Sequence, residues 1–256
     1  MIDIHTHILW AVDDGPNGME DTIRLLEQAV IEGITEIIAT SHSFHPQYHV
    51  DYETINNQIH LLRYQLKVNS IPLTLHTGHE VRLSDHIIPL YKAKQIHTLA
   101  NSKYILLELP SHTVPYYSIN IIRDLLAEGL IPIIAHPERN KAIAERPMYL
   151  ERLIREGAMA QITAGSLAGH FGRTIQNLSL DLVKANLVQT YGSDVHNLTS
   201  RPFLFNEGLS YLEKKKELDA VDILVENNSR VVRNLPLIMQ EPEEIEKSKW
   251  WNIFSR

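Results

Sequence analysis

The chain has 256 residues, 44% hydrophobic and 21% charged, enough to bury a sizeable core and an ordinary length for one α/β barrel. Its formal charge of −7 argues against non-specific nucleic-acid binding, which needs a basic face. With no cysteine, disulfides and every cysteine-nucleophile mechanism are excluded.

In chain order, Ile2 and Ile4 read as a short buried strand with His5 and His7 at its C-terminal end. Residues two apart on an extended strand point to the same side, so both imidazoles can reach one cation. A loop with the adjacent acids Asp13 and Asp14 follows. Met19, Ile23, Leu26 and Val30 then recur at helical spacing, and Gly33 is a stop signal. Residues 34–40 form the second predicted strand, followed by Ser41-His42, and 44–50 is a polar, aromatic, His-bearing loop. Asp51 can cap a helix whose apolar face is Ile55, Ile59, Leu62 and Leu66. A third strand opens at 71–75 and runs to His79-Glu80. The fourth, 104–107, ends in Glu108, and a helix covers 119–129. The fifth, 131–135, ends in His136, before the loop Pro137-Glu138-Arg139-Asn140. Pro147 stands where a first helical residue often does, ahead of Leu150, Leu153 and Ile154. A sixth strand covers 159–163 and a helix 179–185. The seventh, 187–191, ends in Gly192-Ser193-Asp194-Val195-His196. Two helices near 203–212 and 221–226 complete the pattern.

Strands and helices alternate with a repeat of roughly 30–40 residues, as successive βα units do. Residues 1–235 therefore read as one domain, an α/β fold whose seven strands suggest a closed or nearly closed barrel with function at the C-terminal strand ends. The tail, 236–256, changes character, with Glu241, Glu243, Glu244 and Glu246 before Lys247, Lys249 and Trp250-Trp251. It either packs or frays against the body, or docks a partner through the two tryptophans. No apolar run can span a bilayer, and the N-terminus lacks the features of a signal peptide. The chain is expected to be cytoplasmic, and a site built on His5 and His7 implies that it keeps its first residues.

Metal-ligand residue types stand at the ends of six predicted strands: His5 and His7, His42, Glu80, Glu108, His136, and Asp194 with His196. Singly each has a plain alternative, as a capped carboxylate or a hydrogen-bonded core histidine. Together they would converge on one mouth, where buried charge needs pairing or a cation. Eight donors are too many for one ion with an open position. Glu80 is a natural bridge between ions, and the mixed His and carboxylate set suits Mn, Fe or Zn better than Ca or Mg.

These residues resemble the polymerase-and-histidinol-phosphatase (PHP) family of metal-dependent phosphoesterases, and the resemblance covers nearly the whole chain. More narrowly, Asp3-Ile4-His5-Thr6-His7, Val12-Asp13-Asp14-Gly15-Pro16, Ala135-His136-Pro137-Glu138-Arg139 and Gly192-Ser193-Asp194-Val195-His196 look like the CpsB/YwqE tyrosine-protein phosphatases of Gram-positive bacteria. The resemblance implies a distorted (β/α)7 barrel with two or three divalent ions, Mn first among the candidates. It also implies hydrolysis of phosphotyrosine on a bacterial tyrosine kinase that controls capsule or exopolysaccharide synthesis, and on other phosphotyrosine proteins. By analogy His5, His7, Glu80 and Asp194 would hold one ion, and Glu80, Glu108 and His136 a second. His42 and His196 would hold a third with an acid from Asp13-Asp14, for which Asp14 is the choice. The run Ser41-His42-Ser43-Phe44-His45 departs from a Pro-His-His-like pattern and leaves the role of His45 open.

The mechanism implied has no covalent enzyme intermediate: a metal-bound hydroxide attacks phosphorus in line. Arg139 would hold non-bridging oxygens with its planar fork, its alternative being a surface salt bridge. Arg201 is a second phosphate ligand, and His196 a proton donor to the leaving phenolate if metal leaves it free. The rivals are a histidinol-phosphate or other small-molecule phosphatase with the same metal set, and a metal-stabilised regulator of the kinase without turnover. An amidohydrolase, which also opens with H-x-H, typically uses a modified Lys and further His where this chain offers Glu80 and Glu108.

Overall fold

The alternating pattern folds into a mixed α/β structure whose strand pairs are all parallel. A computed structural model describes residues 1–243 and 245. Trp250-Trp251, and with them the docking reading of the tail, lie outside the described residues.

The first half runs β1 (Ile2–Thr6), α1 (Met19–Ile31), β2 (Glu36–Ala39), β3 (His42–Ser43), α2 (Tyr52–Val68), β4 (Thr74–Thr77), β5 (Glu80–Arg82) and α3 (Ile87–Lys92). The second runs β6 (Tyr104–Glu108), α4 (Ser118–Ala127), β7 (Ile131–Ala135), α5 (Lys141–Glu145), α6 (Met148–Arg155), β8 (Met159–Thr163), α7 (Ala164–Ala168), α8 (Arg173–Lys184), β9 (Thr190–Gly192), α9 (Phe205–Lys214) and α10 (Leu218–Val232). The second expected strand, 34–40, is followed by a separate short strand at His42–Ser43, and the third is broken in two, so seven runs become nine strands among the described residues. The β2/β3 break falls at Thr40–Ser41 and the β4/β5 break at Gly78–His79. Gly78 lies so close to β2 that a Cβ would stand 2.7 Å from Ile38 Cγ2, so the crossing admits no side chain.

One sheet has the order β1-β2-β4 and the other β3-β5-β6-β7-β8-β9. The breaks carry the chain from the first sheet to the second. The free edge of β1 meets the segment after β9: Asp194 N donates to His5 O at 2.9 Å and His7 N to Val195 O at 2.9 Å. A parallel bridge joins Thr6 and Val195. Strands β1 and β6 are buried throughout, as expected of parallel sheets covered on both faces.

Side-chain alternation sorts the core. Ile105, Leu107, Ile134, Ala160 and Ile162 pack with the helices in the larger apolar cluster. Tyr104, Leu106, Ile133 and Ala135 face the other way and meet Ile2, Ile4 and Ile38 in a smaller one, which Val231 and Leu237 close at one end. Glu108 continues the 104, 106 face to the opposite end of β6.

Several helices depart from expectation. α3 contains Pro89, but in its first turn, where no intrahelical N–H is lost. α7 (sequence AGSLA) follows β8 without a loop and has no apolar period to betray it. α8 begins at Arg173, six residues before the expected start at 179, and α10 extends to Val232. Pro147 stands one residue ahead of α6, already with helical φ and ψ. The start of the tail is strapped to the body: Ile238 N donates to Asn227 Oδ1 at 2.7 Å, and Glu243 N to Ala185 O at 2.9 Å. No helix among the described residues is long and apolar enough to cross a membrane.

Asn228 of α10 joins the two sheets at their meeting edge. Its buried amide donates to Ile2 O at 2.8 Å and Tyr191 O at 2.7 Å and accepts from Tyr191 N at 3.0 Å. Asn228→Leu strands three buried backbone groups and should destabilise the EDTA-treated chain by about 3 kcal/mol or more in urea denaturation. A loss below about 1 kcal/mol, the worth of one ordinary hydrogen bond, would mean that the edge is held by other contacts.

Candidate metal centre

Most strand ends deliver their donors through a local irregularity, Glu108 at the end of the regular β6 being an exception. β1 shifts register between Asp3 and Thr6, and His5 reaches Gln161 of β8, its Nδ1 2.8 Å from Gln161 Oε1. The β2/β3 and β4/β5 breaks set His42 and Glu80 side by side as Cα partners. His136 and Asp194 have left-handed backbones, φ 34° and 55°, which cost free energy in a non-glycine residue and concentrate where geometry is functional. Gly192 lies under His5, where a Cβ would come within 2.8 Å of His5 Cβ.

All nine expected donors converge. Four groups have donor atoms within 4.8 Å of one another: His7, Asp14, His42 and His196; His5, His7 and Glu80; His5, His136 and Asp194; and His42, Glu80 and Glu108. The division differs from the one the resemblance implied. Glu108 groups with His42 and Glu80 rather than with His136, and His7 joins the group of Asp14. Glu80 is the hub: Oε1 lies 2.7 Å from His136 Nε2, and Oε2 lies 3.1 Å from His42 Nδ1, 3.2 Å from His7 Nε2 and 3.4 Å from His5 Nε2.

Three residues outside the expected donor set orient the donors. Gln161 Nε2 donates to Ile162 O, which turns Oε1 toward His5 Nδ1 and leaves His5 Nε2 for the cluster. Asp13, rather than joining the groups, accepts from Gly15 N and His42 N and meets His7 Nδ1 at 3.1 Å. Asp3, fully buried within β1, accepts from His5 N and Ser193 N. Burial pushes its carboxyl up to about 7 against these bonds. The local sequence has no signal for Gln161, which lies 156 residues from His5; Asp3 stands in the motif that opens the chain, but its bond from Ser193 N spans 190 residues.

The donor set fits divalent cations. Asp14 Oδ1, His42 Nδ1, Glu108 Oε2, Asp194 Oδ1 and His196 Nε2 are buried without a well-aligned hydrogen bond, although His42 Nδ1 lies 3.1 Å from Glu80 Oε2, His196 Nε2 3.1 Å from Asp14 Oδ1 and Glu108 Oε2 3.0 Å from Arg82. His5 Nε2 and His7 Nε2 face each other at 3.4 Å. Such an array is costly unless cations occupy it. Burial holds His42 down to about 4, and burial with His7 nearby also lowers His196, so both present neutral rings. Burial opposes charge on His5 and His7 as well, but Glu80 and Asp194 raise the first, and Asp13 and Glu80 raise the second well above the ordinary value.

Two arginines edge the cluster. Arg139 Nη2 donates to Asp194 Oδ2, and Arg201 Nη2 donates to the same oxygen at 2.6 Å. Burial alone would raise the Asp194 carboxyl; the guanidiniums of Arg139 and Arg201 hold it well below the usual range. Arg201 Nη1 also reaches Asp14 Oδ2 at 3.3 Å, and Phe171 lies 5.2 Å from the Arg139 guanidinium carbon. Arg139 Nε has no hydrogen-bond partner. Both arginines line a cavity of about 330 Å³ with Glu80, Glu108, His136 and Asp14.

Residues 1–233 match the family described as capsular polysaccharide synthesis, CpsB/CapC. The chain belongs to the CpsB/CapC family. Among its relatives, the putative tyrosine-protein phosphatase CapC of Staphylococcus aureus is 39% identical over 251 residues, covering 98% of both chains. Tyrosine-protein phosphatase YwqE of Bacillus subtilis (strain 168) is also 39% identical, over 99% of this chain and 100% of YwqE. A chain from the crystal structures of YwqE and Streptococcus pneumoniae CpsB, described as unique metal-dependent tyrosine phosphatases, superposes with a TM-score of 0.94 at 39% identity. That match covers 96% of this chain and 100% of the other. The parallel α/β architecture is thus the CpsB/CapC one.

The raised pKa values of His5 and His7 set the pH response of metal uptake. Their protonated forms persist below the raised values, so a cation must displace protons and binding weakens as pH falls. Mn(II) affinity of the EDTA-stripped chain should drop about tenfold per pH unit for each proton displaced between about pH 8 and pH 6, with proton release in calorimetry. An affinity flat over that range would contradict the protonation assigned to the two histidines.

Proposed function

We propose that the chain is a metal-dependent, cysteine-independent protein-tyrosine phosphatase acting on a bacterial tyrosine kinase that controls capsular polysaccharide synthesis. The observation that carries this reading is the buried donor cluster opening onto a cavity edged by two arginines. It is supported by 39% identity to YwqE and CapC over nearly the whole chain. Within the same reading, residues 1–235 form one distorted seven-stranded barrel, in keeping with the bonds between β1 and the segment after β9. Phosphotyrosine is made from ATP, so the reaction is assigned to the cytoplasm.

His5, His7, Asp14, His42, Glu80, Glu108, His136, Asp194 and His196 would hold two or three divalent ions, with Mn first and Fe or Zn as alternatives. When bound, these ions supply Lewis acidity and acidify a water at neutral pH. Arg139 and Arg201 bind the non-bridging phosphate oxygens with donors left over from Asp194, each guanidinium having five. Asp194 fixes both forks before substrate arrives, so little reorganisation is needed at the moment of reaction. His196 has Nδ1 2.9 Å from Asp194 O and Nε2 3.1 Å from Asp14 Oδ1, so it serves the metals first. Protonation of the leaving oxygen is a lesser demand, since a phenol of pKa near 10 leaves more readily than an alkanol.

The test is turnover by the Mn-loaded chain of a phosphotyrosine peptide and of histidinol phosphate. A clear preference for the peptide is expected. Preference for histidinol phosphate would assign the site to a small-molecule phosphatase, and no turnover of either would leave a non-catalytic regulator. Arg139→Ala should lower kcat/KM on the peptide by about 10²-fold, the order seen when one preorganised charge stabiliser is lost. Its metal content should stay near wild type, because Arg201 still pairs with Asp194. Arg139→Lys should recover part of the rate only. Wild-type turnover by Arg139→Ala would remove Arg139 from the phosphate site.

A further inference from the structure

The loop between β3 and α2 carries aromatic rings that the chemistry above does not use. The Tyr48 ring lies 5.8 Å from His42 with 8° between planes, and 5.6 Å from His45 with 17°. His42 and His45 stack at 4.6 Å and 24°. Three rings therefore share nearly one orientation at the cavity. His42 turns toward the metal donors, while the half-buried His45 and Tyr48 line the opening, with Leu109, Ser111 and Asn140 also on its walls.

The loop is held by its own polar contacts. Phe44 takes a left-handed turn at φ 57°, and its N–H donates to His49 Nδ1 at 3.3 Å. Gln47 N donates to His45 Nδ1 at 3.2 Å, Tyr48 N to His45 O at 3.2 Å, and Val50 N to His42 O at 2.9 Å. Beneath the loop, His97 N donates to His79 Nδ1, which leaves the proton on His79 Nε2, 2.9 Å from Val50 O. A buried histidine thus pins the end of the segment that presents the rings, so their positions are set before any ligand arrives.

We propose that Tyr48 and His45 form an aryl-binding wall. They stack on the ring of an aryl phosphomonoester whose phosphate lies at Arg139 and Arg201, and so select aryl over alkyl phosphates. This rests on the phosphatase reading above and adds the residues that choose the substrate class. An aromatic face favours an offset-stacked ring over an alkyl chain, an advantage of roughly two- to tenfold in affinity. Tyr48 contributes through its ring, since its hydroxyl plays no part in the stack.

The experiment compares phenyl phosphate with propyl phosphate on the Mn-loaded wild type, Tyr48→Ala, Tyr48→Phe and His45→Ala. In parallel it measures binding of the non-hydrolysable phenylphosphonate and propylphosphonate. Wild type should bind phenylphosphonate the more tightly. The phenyl-to-propyl ratio of kcat/KM should fall about three- to tenfold in Tyr48→Ala, by less in His45→Ala, and stay within about twofold in Tyr48→Phe. An unchanged ratio in Tyr48→Ala, or equal binding of the two phosphonates by wild type, would overturn the wall. If wild type still hydrolyses phenyl phosphate in that case, the phosphatase reading survives. If wild type neither hydrolyses nor binds any of these compounds, both fall together.

Discussion

Like charges and lone pairs cannot be gathered out of water unless something of opposite sign is put between them. Around Glu80 this chain gathers four imidazoles within 3.4 Å of one buried carboxylate. Much of what is irregular in the fold serves that gathering. The register shift in β1, the breaks just before His42 and Glu80, and the left-handed turns at His136 and Asp194 lie at or beside donor positions. Each irregularity sacrifices ladder hydrogen bonds or backbone ease. The apolar clusters packed against the same strands offset that cost. The site is therefore strained and polar while the strand interiors stay regular and apolar.

This division explains what could be read from the sequence. The seven apolar runs and the donor types that end them are local patterns, and all nine expected donors converge. Asp51 caps α2 as its position before an apolar period suggests, its carboxylate accepting from Thr54 N at 2.8 Å. What the sequence hid is either too short or too distant. α7 is five residues of mostly small side chains, and the proline of α3 disguised a helix start. Gln161 acts on His5 from across the fold, and nothing in its neighbourhood marks it, while Asp3, two residues from His5, has its second contact with Ser193 N far along the chain. The choice between Asp13 and Asp14 also needed three dimensions. Adjacent residues differ in direction, so one carboxylate orients His7 and His42 from behind while the other enters the cluster. Sharing of donors among ions depends on distances of a few tenths of an ångström, and the four donor groups overlap, with His5, His7, His42 and Glu80 each in two of them.

The cysteine-free composition and the arginine pair are linked. A cysteine phosphatase binds phosphate beside a thiolate and needs positive charge mainly from the protein itself. Here the protein's own balance is negative. Asp13, Asp14, Glu80, Glu108 and Asp194 bring five carboxylates to the site, and Arg82, Arg139 and Arg201 bring three guanidiniums. In the metal-free chain the deficit of two can be met by protons on His5 and His7, the two rings whose pKa is raised. A phosphomonoester dianion brings two more negative charges. Two divalent cations would balance the carboxylate excess and the substrate together while displacing both protons. A single ion would leave the substrate unbalanced. The same count gives Arg139 and Arg201 their double duty: they neutralise one oxygen of Asp194 and keep donors for phosphate, while Asp194 Oδ1 stays unpaired in the donor cluster. Metal uptake, proton release and anion binding are then parts of one charge balance.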